Sequence, residues 1–313
     1  LIVTVASGKG GTGKTTVATS LALAAASLTA VGTSGRGMGN SKLNVQILDC
    51  DVEEPNAHLF LRPTIEFREE VGLLNPVVDE SRCTHCGRCA EVCAYHALAV
   101  LPRKVLFFRE VCHGCGSCAL NCPEQAIREE LRATGLVETG QANGIAFGQG
   151  TLTVGEAMAV PVIRALKRKA KQEPGALVIL DAPPGTSCPV VECLRGADYV
   201  LLVTEPTPFG LHDLQLAVEV ARDELKLPVG VIVNRDGVGD RGVDEYCRAQ
   251  EIPVLLRVPL DRRIAEATSD GVPLVVALPE YLALFQTLYR RIERLGAEYI
   301  AGARVGTAKV GSQ

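Results

Sequence analysis

Tryptophan is absent from this 313-residue chain, methionine occurs twice, and aromatic residues make up only 4%. The core is therefore left to Val, Leu, Ile and Ala. Long apolar runs are also missing. Leu21 to Ala26 and Val200 to Val203 are among the longest, far short of the roughly 20 residues that cross a bilayer, so a soluble protein without a membrane partner is expected. Nor is there an excess of basic charge. A formal net charge of −4 lacks the footprint of a dedicated nucleic-acid binder. Leu1 to Val5 reads as a strand running into a Gly-rich loop, without a basic leader or cleavage site, so no export signal is expected. With 47% hydrophobic and 22% charged residues, disordered and fibrous classes are excluded.

Cysteine and glycine are abundant, at 12 and 31 residues. Eight cysteines fall between Cys83 and Cys122 in two matching runs. That is ligand spacing and not a disulfide framework, which points to a reducing, cytoplasmic setting.

The chain reads as α/β: short apolar strands (LIVTV, NVQILDCD, ALVILDAPPG, ADYVLLVTEP, VGVIVNR, IPVLLRVP) alternate with helices, including one near Asp213 to Glu224 and a final one near Tyr281 to Gly296. This pattern predicts a mostly parallel, doubly wound sheet covered on both faces. The Cys-rich segment interrupts it, predicting a discontinuous α/β domain over 1–78 and 131–300, an inserted small α+β domain over 79–130, and a flexible tail over 301–313. Thr29 to Lys42 and Thr134 to Thr153 read as Gly-rich loops.

Gly8-Lys9-Gly10-Gly11-Thr12-Gly13-Lys14-Thr15, followed by Thr16, comes after a buried strand and opens a helix. This is the setting of a phosphate-binding loop. The glycines let backbone N–H groups close around the phosphates, the helix N-terminus adds positive potential, Lys14 neutralises phosphate charge, and the Thr15 hydroxyl can ligate Mg²⁺. ATP and Mg²⁺ are the expected ligands. Asp181 ends an apolar strand, where a metal-anchoring carboxylate belongs. Asp49 and Asp51 alternate along one stretch, so one of them faces the phosphates more readily; Asp51 is preferred, with Asp49 able to share the role.

With its second loop lysine, Lys9, the KGGTGKT form resembles the deviant P-loop ATPases of the MinD, ParA and Mrp superfamily, which also holds the nitrogenase iron protein. LDCDVEEPN, LDAPPGTS and VGVIVN extend the resemblance. It implies that Lys9 reaches the nucleotide of an opposite subunit in an ATP-bound homodimer. It also implies that Asp51 orients the attacking water near Mg²⁺, that Asp181 holds Mg²⁺ through water, and that Asn234 hydrogen-bonds adenine. Lys9, Lys14 and Asp51 are thus the expected catalytic groups.

Cys83, Cys86, Cys89 and Cys93 form C-x2-C-x2-C-x3-C, and Cys112, Cys115, Cys118 and Cys122 repeat it 29 residues later. In two-cluster ferredoxins each run gives its fourth Cys to the other cluster. The expected [4Fe-4S] sites are Cys83, Cys86, Cys89 and Cys122 for one, and Cys93, Cys112, Cys115 and Cys118 for the other. Zinc is the alternative for four thiolates. Ala97-Leu98 and Ala126-Ile127 recur after the runs, suggesting an internal two-fold. The segment is similar to bacterial two-cluster ferredoxins, although six basic residues face five acidic ones from Ser81 to Glu130. Together the segments resemble MinD-superfamily ATPases with an inserted ferredoxin domain.

Cys188 resembles the cluster ligand of the nitrogenase iron protein but would need Cys193 as its companion; an idle thiol is the preferred reading. Cys50 and Cys247 are read as core residues, and His85, His96 and His113 as supporting or surface groups. Arg164, Lys167, Arg168, Lys169 and Lys171 are read as a solvated helix face. Three functions are expected in order: nucleotide-gated electron transfer to an unidentified redox partner, assembly or carriage of a metallo-cofactor for an accepting protein, and a ParA-like positioning switch with structural clusters.

Overall fold

The computed structural model of the chain describes residues 1–30, 41–170 and 173–308. Its strands are β1 (Ile2–Ala6), β2 (Thr29–Ala30), β3 (Ser41–Lys42), β4 (Val45–Asp49), β5 (Thr64–Val78), β6 (Leu98–Leu101), β7 (Lys104–Phe107), β8 (Ile127–Ala142), β9 (Ile145–Leu152), β10 (Leu177–Asp181), β11 (Tyr199–Thr204), β12 (Val229–Asp236) and β13 (Val254–Pro259). A nine-stranded sheet runs β13-β12-β11-β1-β10-β4-β9-β8-β5. Pairings from β13 through β9 are parallel, and β9 with β8 and β8 with β5 are antiparallel.

Side chains alternate across the parallel strands with period two. Val3, Val5, Ile47, Ile179, Leu201 and Val203 enter one core, with the helix Lys14–Ala26 and the helix Glu280–Ala308 packed over it. Ala6, Leu48, Leu180, Val200 and Leu202 enter the other, under the helices Val160–Lys167, Cys188–Leu194 and Pro208–Val218. Each fully buried Val, Leu or Ile contributes about 1.5–3 kcal/mol, so this two-sided burial is what holds the sheet. β1 lies between β10 and β11, which puts the loop after β1 in the crevice at the carboxyl ends of the strands.

Two expectations are corrected. Thr134 to Thr153 is not a loop: it is most of β8 and β9, joined at Asn143 and Gly144 with φ of 52° and 79°, the signature of a type I′ hairpin turn. Glycine obscured the strand pattern, and packing explains why it is there. A Cβ at Gly150 would lie 2.7 Å from the Val52 side chain. The last helix does not end near Gly296; its backbone continues to Ala308, because no proline or strong stop intervenes, so the expected flexible tail is helical over 301–308. The Gly/Ser-rich stretch 31–40, Lys171 and the last five residues lie outside the described residues.

β5 and β8 pair from Thr64–Gln141 out to Val78–Ile127, but β9 covers β8 only from Gly135 onward. The uncovered halves form a two-stranded arm projecting beyond the main sheet. A bulge marks its root: Thr134 is skipped between the pairs Val71–Gly135 and Gly72–Ala133, and its buried hydroxyl donates to the Val71 carbonyl at 3.2 Å. Residues 79–126 cap the arm with the hairpin β6–β7 and the single-turn helices Arg88–Glu91 and Ser117–Leu120. The buried apolar core of the cap is Cys89, Leu98 and Val105. So small a core supplies too little burial to order a segment of about 50 residues without a metal or other staple.

Candidate functional site

The loop after β1 wraps into the helix Lys14–Ala26 through Gly13, at φ 94°. A Cβ there would sit 2.5 Å from Nδ2 of Asn234. Only glycine lets that amide approach and donate to the Thr12 carbonyl at 2.7 Å. A cavity of about 640 Å³ opens beside the loop, lined by Gly10, Gly11, Gly13, Lys14, Thr15, Thr16, Asp51 and Asn234, and by Pro259, Leu260, Asp261 and Ile264 on the far side. Gly8 lies against the backbone of Asp213, and Thr12 is buried beneath the loop; both shape the turn without lining the cavity.

The electrostatics prepare the cavity for a charged ligand. Burial pulls the Lys14 ammonium below its ordinary value, against the opposing attraction of Asp181, Asp51 and Asp49. Burial pushes the Asp181 carboxyl up to about 7, with Thr15 and Lys14 favouring its charged form. Both Asp181 oxygens are buried without a partner of normal hydrogen-bond geometry among the described residues, so the Thr15 hydroxyl lies nearby but does not satisfy them. An orphaned carboxylate beside a loop threonine and a lysine fits a hydrated divalent cation and phosphates.

Asp49 and Asp51 part company in the structure. Asp49, wholly buried, accepts backbone N–H groups from Asp51 at 3.2 Å and from Asn56 and Ala57 at 2.9 Å each. It fastens the turn after β4, and its carboxyl is raised by burial and by Asp181. Asp51 lines the cavity, and burial raises its carboxyl against the pull of Lys14.

Lys9 is not brought to the cavity. Its Nζ pairs with Glu205 Oε2 at 3.2 Å, and Arg235 binds the other oxygen of the same carboxylate. Glu205 and Arg235 were missed in the sequence, where nothing but their position just after β11 and inside β12 could have singled them out. Asn234 also accepts from the Arg235 N–H at 2.9 Å, which leaves one amide hydrogen for a ligand edge.

The eight clustered cysteines fall into two quartets. Cys83, Cys86, Cys89 and Cys122 line one small recess of about 20 Å³, together with Val78 and Ile127 at the outer end of the arm. Cys93, Cys112, Cys115 and Cys118 line another, also of about 20 Å³, with Leu74 and Pro76 of β5 and Glu129 of β8. The second recess is therefore the one nearer the main sheet. Local backbone repeats at the 29-residue offset: His85 and Gly114, Gly87 and Gly116, and His96 and Gln125 all have positive φ, between 48° and 86°. Cys93 and Cys122 each accept the N–H four residues on, Ala97 at 3.2 Å and Ala126 at 3.3 Å. Such N–H groups favour thiolate over thiol, whereas burial raises the Cys89 and Cys112 thiols and pushes Cys118 up to about 11. Four sulfur donors around each recess, with backbone donors aimed at sulfur, fit a cation-rich cluster that holds them deprotonated.

Elsewhere, Cys193 is fully buried in the core near Cys50, so it is unavailable as a companion for exposed Cys188. Three members of the basic run are occupied internally. Arg164 pairs with Glu192 at 3.0 Å, Lys167 donates to the carbonyls of Glu192 and Arg195, and Lys169 pairs with Glu69 at 2.5 Å and lies over Phe67. His113 stacks on Tyr95 at 3.6 Å, and His85 meets Glu80 at 3.2 Å.

No helix among the described residues is long and apolar enough to cross a membrane. The chain is 29% identical over 272 residues to the uncharacterized protein MJ0579 of Methanocaldococcus jannaschii, spanning 87% of this chain and 90% of that protein. It is 30% identical over 217 residues to the uncharacterized protein MJ0578 of the same organism, 69% and 72% of the respective chains. An iron-sulfur cluster carrier protein of that organism is 24% identical over 131 residues, 37% of this chain and 45% of that protein. Among solved structures, the septum site-determining protein MinD of Pyrococcus horikoshii, complexed with Mg-ADP, has a TM-score of 0.55 at 19% identity, covering 95% of this chain and 98% of that one; at that identity the likeness is one of fold. A family model described as the CobQ/CobB/MinD/ParA nucleotide binding domain matches residues 3–274, and the chain belongs to that family.

Proposed function

We propose that this chain is an ATP-hydrolysing iron–sulfur protein in which the nucleotide state gates electron delivery from two [4Fe-4S] clusters to a partner protein. The observation that carries the reading is the division of eight cysteines into two quartets on the β5–β8 arm, which β9 alone separates from the nucleotide strand β4. When bound, the clusters supply one-electron donors and acceptors. Cys83, Cys86, Cys89 and Cys122 would hold the outer one, and Cys93, Cys112, Cys115 and Cys118 the inner one, within a redox unit over 79–130.

At the nucleotide site, the N–H groups of Gly10 to Thr15 and the Lys14 ammonium bind and neutralise phosphates. Thr15 and Asp181 hold a hydrated Mg²⁺. Asp51, at the cavity wall, orients water toward the γ-phosphate. Asn234 steadies the loop through Thr12 and offers its remaining hydrogen to the base. Lys9 leaves Glu205 to meet phosphate across a homodimer.

Carriage of a cluster to an acceptor is the second reading, favoured by the similarity to an iron-sulfur cluster carrier protein and by the exposure of Cys86 and Cys115. The test uses the full chain purified without oxygen. Eight iron per chain, a reducible EPR signal and retention of iron after repeated oxidation and reduction support electron transfer. ATP-dependent loss of iron to an apo-ferredoxin acceptor favours carriage, and stoichiometric zinc overturns both.

A further inference from the structure

The inner cysteine recess is joined to the nucleotide site by a continuous line of contacts. Val52 follows Asp51 directly, and its carbonyl accepts the Leu152 N–H at the end of β9, at 2.7 Å. The next residue, Thr153, donates to the carbonyl of Thr134, the bulged residue at the root of the arm, at 2.9 Å, and Glu156 turns back onto Thr153 at 3.0 Å. The Glu156 carboxylate then grips the Arg132 guanidinium of β8. Arg132 stands opposite Leu73 in the β5–β8 ladder. Against that same stretch of β5 lies the loop after Cys112, where a Cβ on Gly114 would be 3.1 Å from the Leu74 carbonyl.

Arg132 is half-buried, at 26% exposure, and Glu156 more so, at 15%. Its guanidinium lies within electrostatic reach of Cys112 and Glu110 in the cap. Its Nε is buried with no hydrogen-bond partner among the described residues. A buried, fixed positive charge favours the more negative state of any redox group beside it, and a shift in its position or pairing changes that preference.

We propose that Arg132, held from the core by Glu156, is the positioning residue through which the nucleotide site sets the reduction potential of the cluster bound by Cys93, Cys112, Cys115 and Cys118. This rests on the cluster reading above and goes beyond it by assigning the coupling to one ion pair and one of the two clusters. Adding one electron to the inner cluster, from an external low-potential donor, adds negative charge beside Arg132. A nucleotide state that draws Asp51 and Val52 toward the phosphates pulls on Leu152, Thr153 and Glu156, and so moves the cation. Linkage makes the effect reciprocal: if nucleotide shifts the potential, reduction shifts nucleotide affinity by the same factor.

The experiment uses the full chain, reconstituted with iron and sulfide under anoxic conditions. Affinity for a nonhydrolysable ATP analogue is measured on oxidised and dithionite-reduced protein, and both clusters are titrated by EPR with ADP and with the analogue. The wild-type affinities are expected to differ by at least about fivefold, the lower end of usual coupling. Arg132→Gln should bring that ratio to one and lower the reduced-to-oxidised ratio of the inner cluster at a fixed potential about tenfold, equivalent to about 59 mV for one electron, with the outer cluster unmoved. Arg132→Lys should restore most of the potential. Glu156→Gln keeps the charge but cuts the tie to the core; it should lose the nucleotide dependence, which keeps the test decisive if Arg132→Gln fails to load. Arg132→Gln or Glu156→Gln with both clusters loaded and the wild-type ratio overturns the proposal. A wild-type ratio of one overturns it while leaving the clusters in place, whereas wild-type protein that binds no iron overturns the cluster reading itself.

Discussion

Lys9 Nζ and Glu205 Oε2 lie 3.2 Å apart, so the extra lysine of the phosphate loop is held by its own chain and does not line the cavity that Lys14 enters. Glu205 is mostly buried and shared with Arg235, which makes it a fixed holder for Lys9. Exchange of this partner for a nucleotide in a second subunit is the step that the proposed dimer requires. Lys9→Ala should therefore leave monomer affinity for ADP near wild type and abolish ATP-dependent dimerisation, read by sedentation-velocity ultracentrifugation with ADP and with a nonhydrolysable analogue. Glu205→Gln frees Lys9 from a partly exposed pair of about 0–1 kcal/mol, so dimerisation should tighten by no more than about fivefold. Unchanged dimerisation of the Lys9 variant removes the trans role.

Lys14 tests the site more simply. Its ammonium is buried against the cavity, where a charge-assisted hydrogen bond is worth about 1.5–3 kcal/mol. Lys14→Ala should weaken ATP binding by at least about tenfold in calorimetry, with the fold intact by circular dichroism.

Asp181 makes a prediction with a definite sign. Its folded carboxyl is raised from 3.8 to about 7 by burial, so the folded apo-protein binds a proton that the unfolded chain releases. The resulting stability is present below the unfolded value and is lost as pH rises from about 4 to about 7. Urea midpoints of nucleotide-free protein should fall across that window, and Asp181→Asn should flatten much of the slope. Asp49, also raised, keeps a remainder. Adding Mg²⁺ and ADP should reverse the wild-type loss at pH 7.5 but not that of a variant lacking the carboxylate. A wild-type midpoint that rises with pH over this range contradicts the assignment.

Much of this was legible in the residues because the signals were local. The phosphate loop is contiguous, the apolar strands announce a sheet buried on both faces, and the cysteine runs, read through their resemblance to two-cluster ferredoxins, divide in the same crossed way as the two recesses. What was illegible depends on packing between distant segments. Thr134 to Thr153 looks irregular because close approach to Val52 requires glycine inside a strand. The distinct roles of Asp49 and Asp51 become visible only once the turn closes and three N–H groups converge on Asp49. Arg132 and Glu156 are 24 residues apart and carry no motif; only the β8–β9 pairing, continued by the Thr153–Thr134 hydrogen bond, brings them together at the base of the arm.

The cysteine partition predicts crossed ligand effects. Replacing Cys122, in the second run, should remove the cluster of the first run, and replacing Cys93 that of the second. Iron analysis of Cys122→Ala and Cys93→Ala should each give about four iron per chain, with different EPR signals surviving. Identical surviving signals contradict the partition.

The central claim is that nucleotide state and cluster state are coupled. The most direct measurement is an anoxic, EPR-monitored potentiometric titration of the wild-type chain with Mg-ADP and with a nonhydrolysable ATP analogue. A coupling of about 1–3 kcal/mol corresponds to about 40–130 mV for a one-electron couple. The account predicts a shift of that size in the inner cluster between the two nucleotides; midpoint potentials that agree within a few millivolts for both clusters contradict it.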